Sequence, residues 1–127
     1  MGNRFESELC EILAENGFWS HNLAQNSAGQ PADVIAVKNG VAYLIDCQVC
    51  SKGKFQFNRI EENQDLSMDL WYDCGNGFGW FALKFDTGIY MVTREALQEC
   101  STCHSAMTPE LANGYGYPLE EWLWYKS

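Results

Sequence analysis

Three carboxylates fall where a fold could bring them together for hydrolytic chemistry. Asp33 follows Pro31-Ala32, Asp46 opens the run Asp46-Cys47-Gln48, and Glu6 sits in the amphipathic segment at the start of the chain. Between the two aspartates lie Val34-Ile35-Ala36-Val37 and Val41-Ala42-Tyr43-Leu44-Ile45, separated by Lys38-Asn39-Gly40. Asn-Gly between two apolar runs is a strong hairpin signal. Residues 32–47 are therefore expected to form a β-hairpin near the sheet centre, with Asp33 and Asp46 at its open end. Side chains alternate along a strand, so Asp46 and Gln48 share a face and Cys47 points away. Two carboxylates converging beside apolar strands are costly unless something neutralises them. A divalent cation with oxygen ligands would do so. With Glu6 added, the set would suit Mg²⁺ or Mn²⁺ and phosphodiester hydrolysis. Without a metal, Asp33 reads as a turn or cap residue and Asp46 as a strand-end carboxylate in water.

The elements that must position these groups follow from periodicity. Phe5, Leu9, Ile12 and Leu13 predict a helix over residues 4–16, stopped by Gly17. A strand is expected over 18–23, then a loop over 24–31 rich in Asn, Ser, Gly and Pro. After the hairpin comes a polar link over 51–54. A second helix is expected over 59–73, with Ile60, Leu66, Leu70 and Trp71 facing inward. Residues 80–85 and 89–93 read as a second hairpin around Asp86-Thr87-Gly88. From Arg94 onward the expectation is one short helix and irregular segments ending in Trp122 and Trp124.

These blocks resemble a known group. The matching text is Gly2-x-x-Phe5-Glu6, the helix end Gly17-Phe18, Gly29-Gln30-Pro31-Ala32-Asp33-Val34-Ile35-Ala36, Tyr43-Leu44-Ile45-Asp46-Cys47-Gln48 and Phe57-Asn58-Arg59-Ile60-Glu61-Glu62-Asn63-Gln64. In this order and with these gaps they resemble the PD-(D/E)xK nuclease superfamily. More narrowly they resemble Holliday-junction resolvases of the archaeal and RecU types and their phage relatives, over about residues 2–93. The resemblance implies a restriction-endonuclease-like α/β fold, with a mixed central sheet of about five strands flanked by helices. It also implies a Mg²⁺- or Mn²⁺-dependent endonuclease acting on branched DNA as a homodimer.

Carried over position by position, the helix-borne acid falls on Glu6 and the motif acids on Asp33 and Asp46, the latter an Asp where Glu is more usual. The implied metal ligands are Asp33, Asp46, the backbone carbonyl of Cys47, and Glu6 directly or through water. The motif Lys falls on Gln48, the main departure. An amide can position water but supplies no charge and takes no proton at neutral pH. Lys52 or Lys54 could reach back from the following loop. Ser27, Gln30, Lys52, Lys54, Arg59 and Gln64 are the implied DNA contacts.

Length and composition set the frame. With 127 residues, 46% apolar and 20% charged, the chain reads as one globular domain over residues 1–127 with a real core. No apolar run is long enough to span a bilayer, which sets aside a membrane role. No basic segment followed by an apolar one marks a secretory signal, so a cytoplasmic location is expected. A net charge of -9 opposes non-specific binding to a phosphate backbone. Together with Gln48 it keeps open a second class, a catalytically silent nuclease fold that binds DNA or a protein partner. A third class is a zinc or redox module on Cys47-x-x-Cys50 and Cys100-x-x-Cys103, whose spacer far exceeds that of ordinary zinc signatures. Cys10 and Cys74 are expected to be packing residues within helices. Trp122, Trp124 and Tyr125 read as core caps or as an exposed partner patch.

Overall fold

The computed structural model describes residues 3–23 and 32–125. Helix α1 (Asn3–Glu15) leads into β1 (Trp19–Asn22). The end of α1 follows from its sequence. Gly17 adopts φ 87°, Phe18 N–H donates to the Leu13 carbonyl at 3.0 Å, and Gly17 N–H to that of Ala14 at 3.2 Å. That pair of bonds is a Schellman stop, which a residue free to take positive φ makes cheap. Phe18 and Leu13 then pack in the same core, closing the turn.

The hairpin is as expected. Strands β2 (Val34–Lys38) and β3 (Val41–Val49) pair antiparallel, with Val34 opposite Ile45. Asn39 and Gly40 both have positive φ, 54° and 78°, the geometry of a type I′ turn. Next come β4 (Phe55–Gln56), a 3₁₀ turn over Phe57–Arg59, and α2 (Glu62–Asp73). This crossover returns the chain to β5 (Trp80–Phe85), which pairs in parallel with β3. Strand β6 (Gly88–Thr93) completes the second hairpin.

The remainder departs from expectation. Instead of one short helix, the tail holds α3 (Arg94–Ser101), β7 (Ala106–Met107), α4 (Pro109–Tyr115), β8 (Tyr117–Pro118) and α5 (Leu119–Tyr125). Strand β8 adds to β6, so the main sheet has six strands rather than about five, in the order β1-β2-β3-β5-β6-β8; β4 and β7 form a small ribbon apart. Helices α3 and α4 are started by side-chain caps. Thr93 accepts from Ala96 N–H and Thr108 from Leu111 N–H, with Pro109 in the first turn.

The sheet is covered on both faces. On one, α1 and α5 bring Phe5, Leu9, Leu13, Leu119 and Trp122 onto Val34, Ile45 and Trp80. On the other, Met68 of α2 and Leu97 of α3 pack with Phe55 and Met107 on Leu44, Phe81 and Leu83. Trp122 is fully buried, while Trp124 and Tyr125 are exposed, so the tail aromatics divide between the two expected roles.

Two further corrections concern α2. Leu66 and Leu70, expected to face inward, are 58% and 64% exposed. The inward stripe is Gln64, Met68 and Trp71, at positions i, i+4 and i+7. A polar residue leads that stripe, so hydropathy alone selects the wrong face. Cys74 is not a packing residue inside the helix; it is the exposed C-cap.

Gly116 supplies a stability test. A Cβ there would collide with the Met91 carbonyl oxygen in β6, which cannot move without breaking the sheet. Gly116→Ala should cost about 1–3 kcal/mol in urea unfolding, as overpacking does elsewhere.

Candidate active site

The open end of the β2–β3 hairpin carries the site. Asp33 N–H donates to the Ile45 carbonyl at 3.0 Å, which registers Asp33 against the strand that bears Asp46. The Asp33 carboxylate in turn accepts from Cys47 N–H at 2.8 Å. Asp46 is fully buried. Its Oδ2 accepts from Gln48 Nε2 at 2.6 Å and its Oδ1 from Gln64 Nε2 at 2.8 Å. Gln48 and Asp46 thus share a face, as the strand period requires.

Glu6 comes from the first turn of α1 and is buried. Helix α1 is fixed over the sheet by its apolar stripe and by the Lys84–Glu8 ion pair at 2.6 Å. No hydrogen-bond partner reaches Glu6 Oε1 among the described residues. Burial is the largest cause holding the Glu6 carboxyl above its ordinary pKa, with the Asp33 charge adding to it. Asp46 is pushed up further, first by burial and then by Asp33. The three carboxylates therefore interact electrostatically; the hairpin spacing predicts this for Asp33 and Asp46, and Glu6 joins them because α1 packs over the sheet.

This donor set fits a hard divalent cation. It is all oxygen, its charges repel one another, and one buried Glu6 oxygen has no other partner. Among the described residues, however, no three His, Cys, Asp or Glu side chains form a group that could hold a metal ion as it stands. Asp46 gives both its oxygens to amide donors instead.

Linkage gives the sign of a pH effect. A carboxyl whose pKa is higher folded than unfolded destabilises the native state once it ionises, because the native state binds the extra proton. For Asp46 and Glu6 the penalty is absent below the ordinary carboxylate pKa and grows as pH rises towards their folded pKa values. Thermal melts of metal-stripped protein should show Tm falling as pH rises above the ordinary carboxylate range, and a saturating divalent cation should recover most at the high end.

The other expected residues divide. Gln64, expected on DNA, is turned into the site. Its Oε1 accepts from Glu61 N–H in a capping box while its Nε2 holds Asp46, so the start of α2 is tied to the carboxylate. The Glu61-x-x-Gln64 spacing was the available signal. Arg59 is exposed and donates to Gln48 Oε1 at 2.8 Å and to the Val49 carbonyl at 3.2 Å; nothing in the spacing pointed to this link. Lys52 and Lys54 do not bond Asp46. They are exposed and line, with Ser51, Gln56 and Arg59, a pocket of about 210 Å³ beside it. Ser27 and Gln30 lie outside the described residues.

The cysteines form no comparable centre. Burial raises the Cys47 thiol well above its ordinary value and takes Cys50 to about 11. Such thiols resist becoming the thiolates that zinc or redox chemistry needs.

Comparison with known proteins bears on this geometry. A model of the archaeal Holliday junction resolvase (Hjc) family matches residues 1–124. The crossover junction endodeoxyribonuclease Hjc of Methanocaldococcus jannaschii is 27% identical over 85 residues, which cover 67% of this chain and 59% of that protein. The aligned part is thus less than two thirds of that relative's length. The solved structure of Archaeoglobus fulgidus Hjc, a Holliday junction resolvase, superposes with a TM-score of 0.71, covering 93% of this chain and 94% of that one. At 16% identity that likeness establishes the fold.

Proposed function

Since the chain belongs to the archaeal Holliday junction resolvase family, we propose that it is a divalent-metal-dependent endonuclease that cuts branched DNA. The observation that supports this reading is the electrostatic coupling of Glu6, Asp33 and Asp46, two of them buried, around the hairpin end. Mg²⁺, or Mn²⁺ in its place, is the proposed ion. Asp33, Asp46, Glu6 and the Cys47 carbonyl would hold it. When bound, the cation supplies Lewis acidity to the scissile phosphate and lowers the pKa of a water.

The chain's own groups do the rest. Gln64 and Gln48 hold the Asp46 carboxylate in one orientation. Gln48 has a second N–H that can donate to water or to a phosphate oxygen, but no site that takes a proton. Lys52, Lys54 and Arg59 gather positive charge around one pocket, and Arg59 links it to Gln48 in the site. That charge suits a phosphate backbone passing the site. Symmetric cutting of a four-way junction needs two sites, so a homodimer is part of the proposal. Leu66 and Leu70, one turn apart on α2, offer exposed apolar side chains for the second copy. Acting on DNA, the protein would work in the cytoplasm.

The test is a gel assay of a labelled four-way junction beside matched duplex and single strand, in Mg²⁺ or Mn²⁺. Paired, symmetric nicks in the junction alone are the expected result. Binding without cleavage in either metal would replace this reading with the silent one, which Gln48 and the net charge of -9 favour.

A further inference from the structure

Gln48 stands where the resembling nucleases carry a charged Lys, and a positive charge is nevertheless wired to that position. Arg59 Nη2 lies 2.8 Å from Gln48 Oε1, and its Nη1 lies 3.2 Å from the carbonyl of the next residue, Val49. The guanidinium also lies over the ring of Phe55, 5.2 Å from its centroid, and Phe55 is fully buried. One planar group is thus fixed at three points, two of them on the strand that bears Asp46.

The contact decides which way the amide points. Arg has only donors, so whatever faces it must accept. Gln48 Oε1 is therefore turned outward and Nε2 inward, onto Asp46 Oδ2 at 2.6 Å. The reverse orientation would set an oxygen against a buried carboxylate and an N–H₂ against a guanidinium. Gln64 is organised in the same way: its oxygen is held by Glu61 N–H and its nitrogen is presented to Asp46 Oδ1. Each carboxylate oxygen thus receives an amide whose other end is anchored, one of them to a full charge. A hydrogen bond accepted from a cation polarises the amide and strengthens what its N–H donates.

We propose that Arg59 is a positioning residue for phosphodiester cleavage: through Gln48 it delivers to Asp46 the positive bias that a Lys at position 48 would supply directly. The proposal rests on the nuclease reading above for its catalytic consequence, but not for the network itself. It carries a further implication. Restoring the family Lys by Gln48→Lys brings an ammonium against Arg59, so that variant alone meets like-charge repulsion.

The experiment is a double-mutant cycle on the full chain: wild type, Arg59→Met, Gln48→Lys and the pair, with Arg59→Lys as the conservative control. Arg59→Met keeps an unbranched apolar stem and removes every donor, along with the charge over Phe55. Two readouts are taken: junction-cleavage kinetics in Mn²⁺, and hydrogen exchange of the Gln48 side-chain amide by NMR in metal-free protein. Loss of a charged hydrogen bond at this exposure predicts that Arg59→Met lowers kcat about tenfold, with KM changed less than about threefold. Gln48 amide exchange should rise by about the same factor, and Arg59→Lys should recover part of both losses. In the Gln48→Lys background, Arg59→Met should cost nothing or restore activity. Unchanged Gln48 exchange in Arg59→Met would overturn the proposal. So would equal losses in both backgrounds, or a loss confined to KM, either of which marks Arg59 as a plain backbone contact. If wild type cuts nothing, the nuclease reading fails, and the exchange measurement alone still decides whether Arg59 sets the amide.

Discussion

Asp33→Asn is expected to stop cleavage and at the same time to make the metal-free protein more stable. The two effects share one cause. Asp33 is the largest charge acting on Asp46 and stands in hydrogen-bond contact with it. An Asn of the same shape keeps an oxygen for Cys47 N–H, now met at 2.8 Å, and offers Asp46 an N–H donor in place of a like charge. Relieving that repulsion removes the cost of holding two like charges together in a buried place, so the Tm of the metal-free protein should rise. Losing a metal-ligating carboxylate should lower kcat by about 10²–10³-fold or more, the scale seen when a charge-stabilising group is removed from an active site. Thermal melts with and without Mg²⁺ separate the contributions. The stability gain should appear only without metal, because wild type recovers its deficit on binding the ion. A variant that loses activity and also loses stability without metal would mean that Asp33 is structural.

Trp122→Ala should produce the largest loss of stability. The indole is fully buried and touches three rings, with centroid distances of 5.6 Å to Phe18, 5.3 Å to Tyr43 and 5.6 Å to Trp80. The three rings come from the turn between α1 and β1, from β3 and from β5, so the cavity cannot close by moving one of them. Truncation of such a side chain costs about 3–5 kcal/mol, a large part of the 5–15 kcal/mol typical of a whole domain. Trp122→Phe should cost far less. It keeps most of the volume and removes Nε1–H, which is buried without a partner. Guanidinium unfolding of the two variants distinguishes packing from polarity. Equal losses would mean that the indole N–H matters and the rings do not.

How far the sequence could be read depended on whether each signal was local. The first helix and the hairpin were legible because their determinants lie within a few residues: the 3.6-residue apolar spacing of Phe5, Leu9 and Leu13, the stop at Gly17, and Asn39-Gly40 between two apolar runs. Asp33 and Asp46 followed at once from hairpin register. Glu6 needed the further assumption that α1 lies over the hairpin end, which its apolar stripe supports. Two of the three tail helices were missed because seven or eight residues are too few to be stable alone. They exist through tertiary packing, and their Thr93 and Thr108 caps are legible only once a helix is assumed. The role of Gln64 was missed because a polar residue leads the buried stripe of α2. The role of Arg59 was missed because its partner lies on another element, and side-chain contacts of that kind leave no period in a sequence.

The hairpin also bears on the path by which the chain reaches this structure. Its two strands close over Asn39 and Gly40, whereas pairing β3 with β5 must wait for a crossover through α2. Chain-closure entropy grows with the span enclosed, so β2 and β3 can meet before the rest of the sheet assembles. Asp33 and Asp46 are then forced together while folding is still under way, and Glu6 joins them only when α1 docks. Their repulsion should therefore be felt in the folding transition state as well as in the native state, and refolding should speed up in Asp33→Asn. Its relief, by acid or by Asp33→Asn, acts on the rate of folding and not on the rate of unfolding alone.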